Sequence, residues 1–248
     1  MSARVCLITG ASRGIGAATA RELAARGHRV VVNHRDSADA AEAVADDVRA
    51  AGGDALVVQG DVTDPGDVTR LVEETVERWG RLDVLVHNAM TPFPVTSFAD
   101  LRWEQLSAKL DQEIRAAYLL TDTVLPGMTE RRDGRLVYLS TGLSRRPRDG
   151  MIALGVAKAA LDSFVRYVAA EVAPHGITAN VVAPSTVEDT AVSGRLPDDL
   201  RAELAAATPT RRLARPEDVA RTVAHFAGDD AAFTTGSWAP VNGGLIMP

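Results

Sequence analysis

Short apolar, β-branched runs alternate along this chain with longer stretches in which apolar residues recur every three or four positions. The first pattern suits buried strands and the second suits amphipathic helices. Their regular alternation is that of βαβ units and a mostly parallel sheet. Strands are predicted at about 4–9 (RVCLIT), 29–33 (RVVVN), 55–59 (ALVVQ), 83–87 (DVLVH), 135–140 (RLVYLS), 177–182 (ITANVV) and 238–241. Helices fill the gaps at about 14–26, 38–51, 65–79, 100–129, 151–173, 198–206 and 216–228. Local signals agree: Asp64-Pro65 opens the third helix, Gly27 and Gly80 follow two others, and Pro216-Glu217 opens the last. No repeat, linker or low-complexity tract interrupts the alternation, and every strand is needed to complete one sheet. The pattern therefore predicts a single α/β domain over 1–248, three layers deep. The least regular stretch, 185–214, mixes Ser, Thr, Asp and Pro with a short helix and is the candidate substrate lid.

Composition narrows the partners. At 248 residues, 46% hydrophobic and 24% charged, the chain can bury a large core. A net charge of -6 argues against nucleic acid or an anionic membrane as a general partner. No apolar run approaches the roughly 20 residues needed to span a bilayer. The N-terminus runs straight into a strand pattern without a cleavable signal, so an uncleaved cytoplasmic protein is expected. The lone Cys6 excludes an internal disulfide and, within VCLI, reads as a buried thiol. No His, Cys or Asp cluster has metal-ligand spacing, so no metal is expected. Nearly exclusive Arg usage with abundant Ala, Val and Gly suggests a GC-rich bacterial genome.

The first strand ends in TGASRGIG, with Gly10, Gly14 and Gly16 where strand turns into helix. Small residues there let the backbone approach a pyrophosphate, and the helix start offers unpaired N–H groups. The fold is accordingly expected to be a Rossmann-type doubly wound parallel sheet. Where many dinucleotide folds place an acidic residue, the second strand ends VVNHRD, with His34 and Arg35. Arg13 and Arg35 could together grip a 2′-phosphate, which favours NADP(H); Asp36 keeps open a solvated Arg35.

These residues make a wider likeness legible. Over essentially its whole length the chain resembles the short-chain dehydrogenase/reductase family. TGASRGIG matches the cofactor loop, which assigns Ser12 and Ile15 to the dinucleotide along with Arg13 and the glycines. GDVTD at 60–64 matches the segment whose Asp61 and Val62 flank adenine. HNAM at 87–90 resembles the Asn-Asn-Ala-Gly motif and brings Asn88 and Ala89 to the cofactor. LPGM at 125–128 matches the end of the long central helix, and RPEDVA and TTGSWAPVNGG resemble the C-terminal segment. The resemblance also implies a cofactor contact at Pro184 and assembly into a homo-oligomer, a tetramer or dimer.

The family's catalytic set is where the chain departs. Typically a Ser ends the fifth strand, a Tyr follows thirteen residues later, a Lys comes four after that, and an Asn lies in the preceding helix. Aligned on Lys158, Leu154 stands at the Tyr position and Thr141, beside Ser140, at the Ser position. Aligned on Leu125-Pro126, Glu113 stands at the Asn position. The related enoyl reductases place Tyr seven before Lys, where this chain has Met151. Tyr138 falls within a strand and Tyr118 within the long helix.

Lys158 and Lys109 are the only lysines of the chain. In the family the lysine binds the nicotinamide ribose hydroxyls and lowers the tyrosine pKa; the first task survives the loss of Tyr and suits a compact ammonium better than a guanidinium. Without the phenol, the proton must come from water, a substrate hydroxyl, the Thr141 hydroxyl, or Asp149 or Glu113 with a raised pKa. Around the pocket, the loop GLSRRPRDG offers Arg145, Arg146 and Arg148 for an anionic or polyphenolic substrate, against a reading as solvated surface. Met90 would crowd the nicotinamide side or reshape the pocket mouth, and His87 reads as a hydrogen-bonded strand-end residue sooner than a proton donor. The resemblance implies an NADP(H)-dependent reductase or dehydrogenase acting on a small to medium organic substrate, and the missing Tyr points to one that supplies part of the acid chemistry itself, a hydroxyaryl ketone or quinone of specialised bacterial metabolism. A non-redox cyclase, dehydratase or isomerase, and a catalytically silent dinucleotide-binding partner subunit, remain open.

Overall fold

The computed structural model describes residues 3–190 and 193–247. Strands β1 (Val5–Ile8), β2 (Arg29–His34), β3 (Ala55–Gln59), β4 (Val84–His87), β5 (Gly134–Leu139), β6 (Ile177–Pro184) and β7 (Trp238–Val241) form one sheet. Its order is β3-β2-β1-β4-β5-β6-β7 and every pairing is parallel. Between them run α1 (Gly14–Ala25), α2 (Ala38–Ala50), α3 (Pro65–Trp79), α4 (Trp103–Arg131), α5 (Ile152–Val172), α6 (Asp198–Ala207) and α7 (Pro216–Ala227).

Both faces of the sheet are apolar because both are covered. Cys6 and Ile8 pack with α1, α2 and α7 on one side, whereas Leu7 between them packs with α3, α4 and α5 on the other. The expected single-domain, three-layer, doubly wound α/β fold is thus the observed one. Strand order runs outward in opposite directions from β1 and β4, and the crevice at their C-terminal ends is where such sheets receive ligands.

Local chemistry accounts for the helix limits. Asp64 accepts a hydrogen bond from the Asp67 N–H at 2.9 Å with Pro65 behind it, and α3 stops at Gly80, whose φ of 76° few other residues adopt. α4 runs through Pro126, as the predicted span to 129 requires, and ends at Arg131, just beyond the LPGM segment. Pro126 and Asp122, the residue whose carbonyl loses its partner, are both exposed, so water can take the orphaned oxygen. Two strands also differ from expectation: β5 stops at Leu139, leaving Ser140 beyond its end, and β6 reaches Pro184 because Pro184 pairs with Val241.

Candidate active site

The crevice is a cleft of about 700 Å³. It begins at the glycine loop, where Gly10, Ser12, Arg13, Gly14 and Ile15 form its floor. Gly10 has φ 61°, and a Cβ there would lie 2.9 Å from the Ala89 Cα. Gly16 was expected at the cofactor but stands behind the wall: a Cβ on it would come within 2.6 Å of both the Asn88 amide and the Gly10 carbonyl. Its smallness lets α1 close on the sheet. Two asparagines brace the loop. Asn88 Nδ2 donates to the carbonyls of Thr9 (2.8 Å) and Gly10 (3.1 Å), and Asn33 accepts from the Gly10 N–H at 3.2 Å while donating to the Gly60 carbonyl at 3.1 Å. No side chain caps the start of α1, so its first N–H groups face the loop.

Farther along, His34, Arg35, Asp61 and Val62 border the cleft. Arg35 is half exposed and donates to Asp36 at 2.7 Å, with Asp61 at 3.8 Å. Asp61 also closes its own turn, accepting from the N–H (2.8 Å) and hydroxyl (2.7 Å) of Thr63. Ala89, Lys158 and Pro184 line the opposite part.

At the inner end lies a buried chain of charges. Lys158 donates to Glu113 Oε1 at 2.7 Å and to the Leu139 carbonyl at 2.6 Å. Glu113, 1% exposed, gives its other oxygen to Lys109 at 2.6 Å. Lys109 then donates to the hydroxyl (2.8 Å) and carbonyl (3.1 Å) of Thr91. Both lysines of the chain therefore share one carboxylate. Burial opposes the charge on Glu113, but Lys158 and Lys109 outweigh it and hold the carboxyl well below the usual range. Glu113 is consequently a fixed anion, which corrects its reading as a carboxylic acid with a raised pKa.

The other candidate donors are also withdrawn or occupied. Asp149 is exposed and does not border the cleft. Tyr138 is wholly buried, shares a 2.6 Å hydrogen bond with Thr121, and has its phenol pushed up by burial. Tyr118 is exposed on α4. His87 is buried at the end of β4 as expected, but neither ring nitrogen finds a hydrogen-bond partner among the described residues, and Glu113 is 3.8 Å away. Burial first of all lowers its pKa and keeps the ring neutral.

Ser140, Thr141, Met151 and Leu154 do line the cleft beside Lys158. The Thr141 oxygen accepts from the Leu143 N–H at 3.3 Å, so its hydroxyl hydrogen is free to donate. The Ser140 hydroxyl has no partner among the described residues. The arginine loop divides: Arg146 and Arg148 reach the cleft, whereas Arg145 turns away and stacks 3.8 Å over the ring of Trp238. Met90, 46% exposed, sits at the mouth. From the expected lid segment, Leu196, Leu204 and Ala207 line the cleft, while positions 191 and 192 lie outside the described residues.

The family described as "Enoyl-(Acyl carrier protein) reductase" matches residues 10–246. The chain belongs to the short-chain dehydrogenase/reductase family. Among the family's 3-oxoacyl-(acyl-carrier-protein) reductases, that of Synechocystis is 36% identical over 249 residues, covering 100% of this chain and 98% of the relative. The FabG proteins of Escherichia coli (35%, 98% of each chain) and Staphylococcus aureus (32%, 97% of each chain) are similar over the same extent.

As a member of this family the chain is an oxidoreductase, and its cofactor is NADP(H). The residues present fit that group: a glycine loop in which Gly10 and Gly14 line the cleft at positive φ, with no room for a Cβ at Gly10, a helix start without a side-chain cap, and two arginines at the rim. No group of three or more His, Cys, Asp or Glu among the described residues could hold a metal. No described helix is long and apolar enough to cross a membrane. Sequence reasoning missed Lys109 and Thr91. The signal for Lys109 was present, since the rarity of lysine that singles out position 158 applies equally to 109.

Proposed function

We propose that this dehydrogenase/reductase is an NADPH-dependent carbonyl reductase that works without a tyrosine acid. One observation carries the reading: a single cleft runs from the glycine loop to Lys158, and the residue one helical turn before that lysine is Leu154. The cofactor, when bound, supplies the hydride. The chain supplies orientation. Lys158 holds the nicotinamide ribose through its remaining N–H, and the Thr141 hydroxyl donates to the substrate carbonyl oxygen. Leu154 and Met151 make the neighbouring wall apolar, so the proton reaches that oxygen from water or from a hydroxyl of the substrate itself.

A substrate that carries part of its own acid chemistry suits this wall: a hydroxyaryl ketone or a quinone. Arg146 and Arg148 favour an anionic or electron-rich one. Residues 185–190 and 193–214 serve as the lid, and Asn88 and Asn33 serve the loop's shape. Arg13 and Arg35 select the 2′-phosphate, so calorimetry should find NADPH bound more tightly than NADH by about 1.5–3 kcal/mol, the scale of hydrogen bonds to charged groups. Arg35→Asp should reverse much of that preference.

The deciding experiment is anaerobic incubation with NADPH and a panel of quinones, hydroxyaryl ketones, enones and a 3-oxoacyl thioester, following absorbance and product mass. Oxidation of NADPH with a product two hydrogens heavier supports the proposal. A product of unchanged oxidation state would replace it with a cyclase, dehydratase or isomerase.

A further inference from the structure

An ammonium has three N–H groups, and their allocation differs between the two lysines. Lys109 has an acceptor for each: Glu113 Oε2, the Thr91 hydroxyl and the Thr91 carbonyl. Lys158 has two among the described residues, Glu113 Oε1 and the Leu139 carbonyl, and its third N–H is left toward the cleft that it lines. Glu113 is the hinge of the arrangement. One oxygen faces each lysine, so Lys109 stops the carboxylate from rotating, and the carboxylate in turn stops Lys158 from swinging on its four-carbon stem. Lys109 and Glu113 sit one turn apart on α4, and Lys158 is on α5, so the aim of the third N–H depends on how those two helices pack.

We propose that Glu113 is the positioning residue for Lys158, with Lys109 fixing Glu113, so that a buried lysine–carboxylate–lysine chain aims the Lys158 ammonium into the cleft. The alternative is an ion pair that only joins α4 to α5. A buried pair is weak evidence for stability, because the desolvation of its charges offsets much of their attraction. The retention of two lysines in a chain that otherwise uses arginine, both on one carboxylate, fits a positional requirement better than a stabilising one. A guanidinium would present a flat fork where each oxygen of Glu113 receives a single N–H.

The inference rests on the reading of the cleft as the dinucleotide site with Lys158 at its inner end. The test is a double-mutant cycle on NADP+ affinity, read by calorimetry without turnover. Lys158→Met and Glu113→Gln should each weaken NADP+ by about tenfold, the scale of one hydrogen bond to a charged group. The combination should be no weaker than Lys158→Met alone. Glu113→Asp should recover part of the loss.

Selectively ¹³C-labelled lysine gives a second readout, since the chain has two. NADP+ should move one ε-methylene resonance in the wild type, the one missing from Lys158→Met, and move it less in Glu113→Gln. If Glu113→Gln does not fold, Lys109→Met/Glu113→Leu removes one charge of each sign; it should bind NADP+ weakly, and adding Lys158→Met should weaken it no further. Additive losses, or an unchanged affinity in Glu113→Gln, would overturn the positioning role while leaving the site in place. An unchanged affinity in Lys158→Met would overturn the placement of Lys158, and this inference with it.

Discussion

Leu154 precedes Lys158 by four residues on one face of α5, and both side chains border the cleft, so a phenol at 154 would stand beside an ammonium. Leu154→Tyr should therefore raise kcat for an unassisted ketone by about tenfold, below the range of an evolved general acid, and add a fall in rate at alkaline pH as the phenol ionises. An unchanged kcat and pH profile would mean that proton delivery does not limit the reaction there. His87 has a different pH signature. Its pKa in the fold is lowered from 6.5 by burial, so below pH 6.5 the unfolded chain takes up a proton that the folded one refuses. Stability from this group is present above pH 6.5 and is lost as the pH falls toward the folded value. His87→Leu should lose less Tm between pH 7 and pH 5 than the wild type does; equal losses would assign the acid sensitivity elsewhere. Residue identity in the site was partly legible: the family resemblance placed Lys158, Thr141 and Leu154 beside one another, because its spacing falls within one loop and helix, and all three line the cleft. Glu113 could be located but not interpreted, because Lys158 reaches it from α5 through a tertiary contact. Arg145 was misassigned for the same reason, its direction being set by Trp238 from a distant strand.

At the scale of elements, periodicity located every strand and helix in the described sheet, because a parallel sheet covered on both faces demands unbroken apolar strands and amphipathic covers. Its bounds slipped where a neighbouring strand decides, as β6 lengthens against β7, whereas the span predicted for α4 already ran through Pro126. The glycine loop shows how one element governs another. Gly16 is needed because α1 lies against the Asn88 amide and the Gly10 carbonyl, both braced by further hydrogen bonds and so unable to give way. Gly16→Ala should cost about 1–3 kcal/mol of stability, the usual price of overpacking. It should also weaken NADP+ binding by displacing the start of α1, which denaturant unfolding and calorimetry would register together. Full stability with full affinity would show that the helix start moves freely.

For the whole molecule the unresolved economy is on the outside of α4 and α5. Trp103 and Tyr118 on the first helix, and Val156 and Tyr167 on the second, are exposed although the two helices pack together and carry the buried lysine chain between them. Large apolar groups gathered on adjacent elements favour burial by another surface, and the simplest such surface is the same one on a second copy, since a two-fold interface needs only a patch that fits itself. We propose that the protein is a homodimer or a tetramer through this face. Sedimentation at micromolar concentration should give no monomer, and Tyr118→Glu with Tyr167→Glu should shift the distribution toward one. Because the same helices aim Lys158, the monomeric variant should also bind NADP+ less tightly. A wild-type monomer would refute the assembly, while a monomeric variant with unchanged affinity would show that α4 and α5 hold the lysine chain without help from a neighbour.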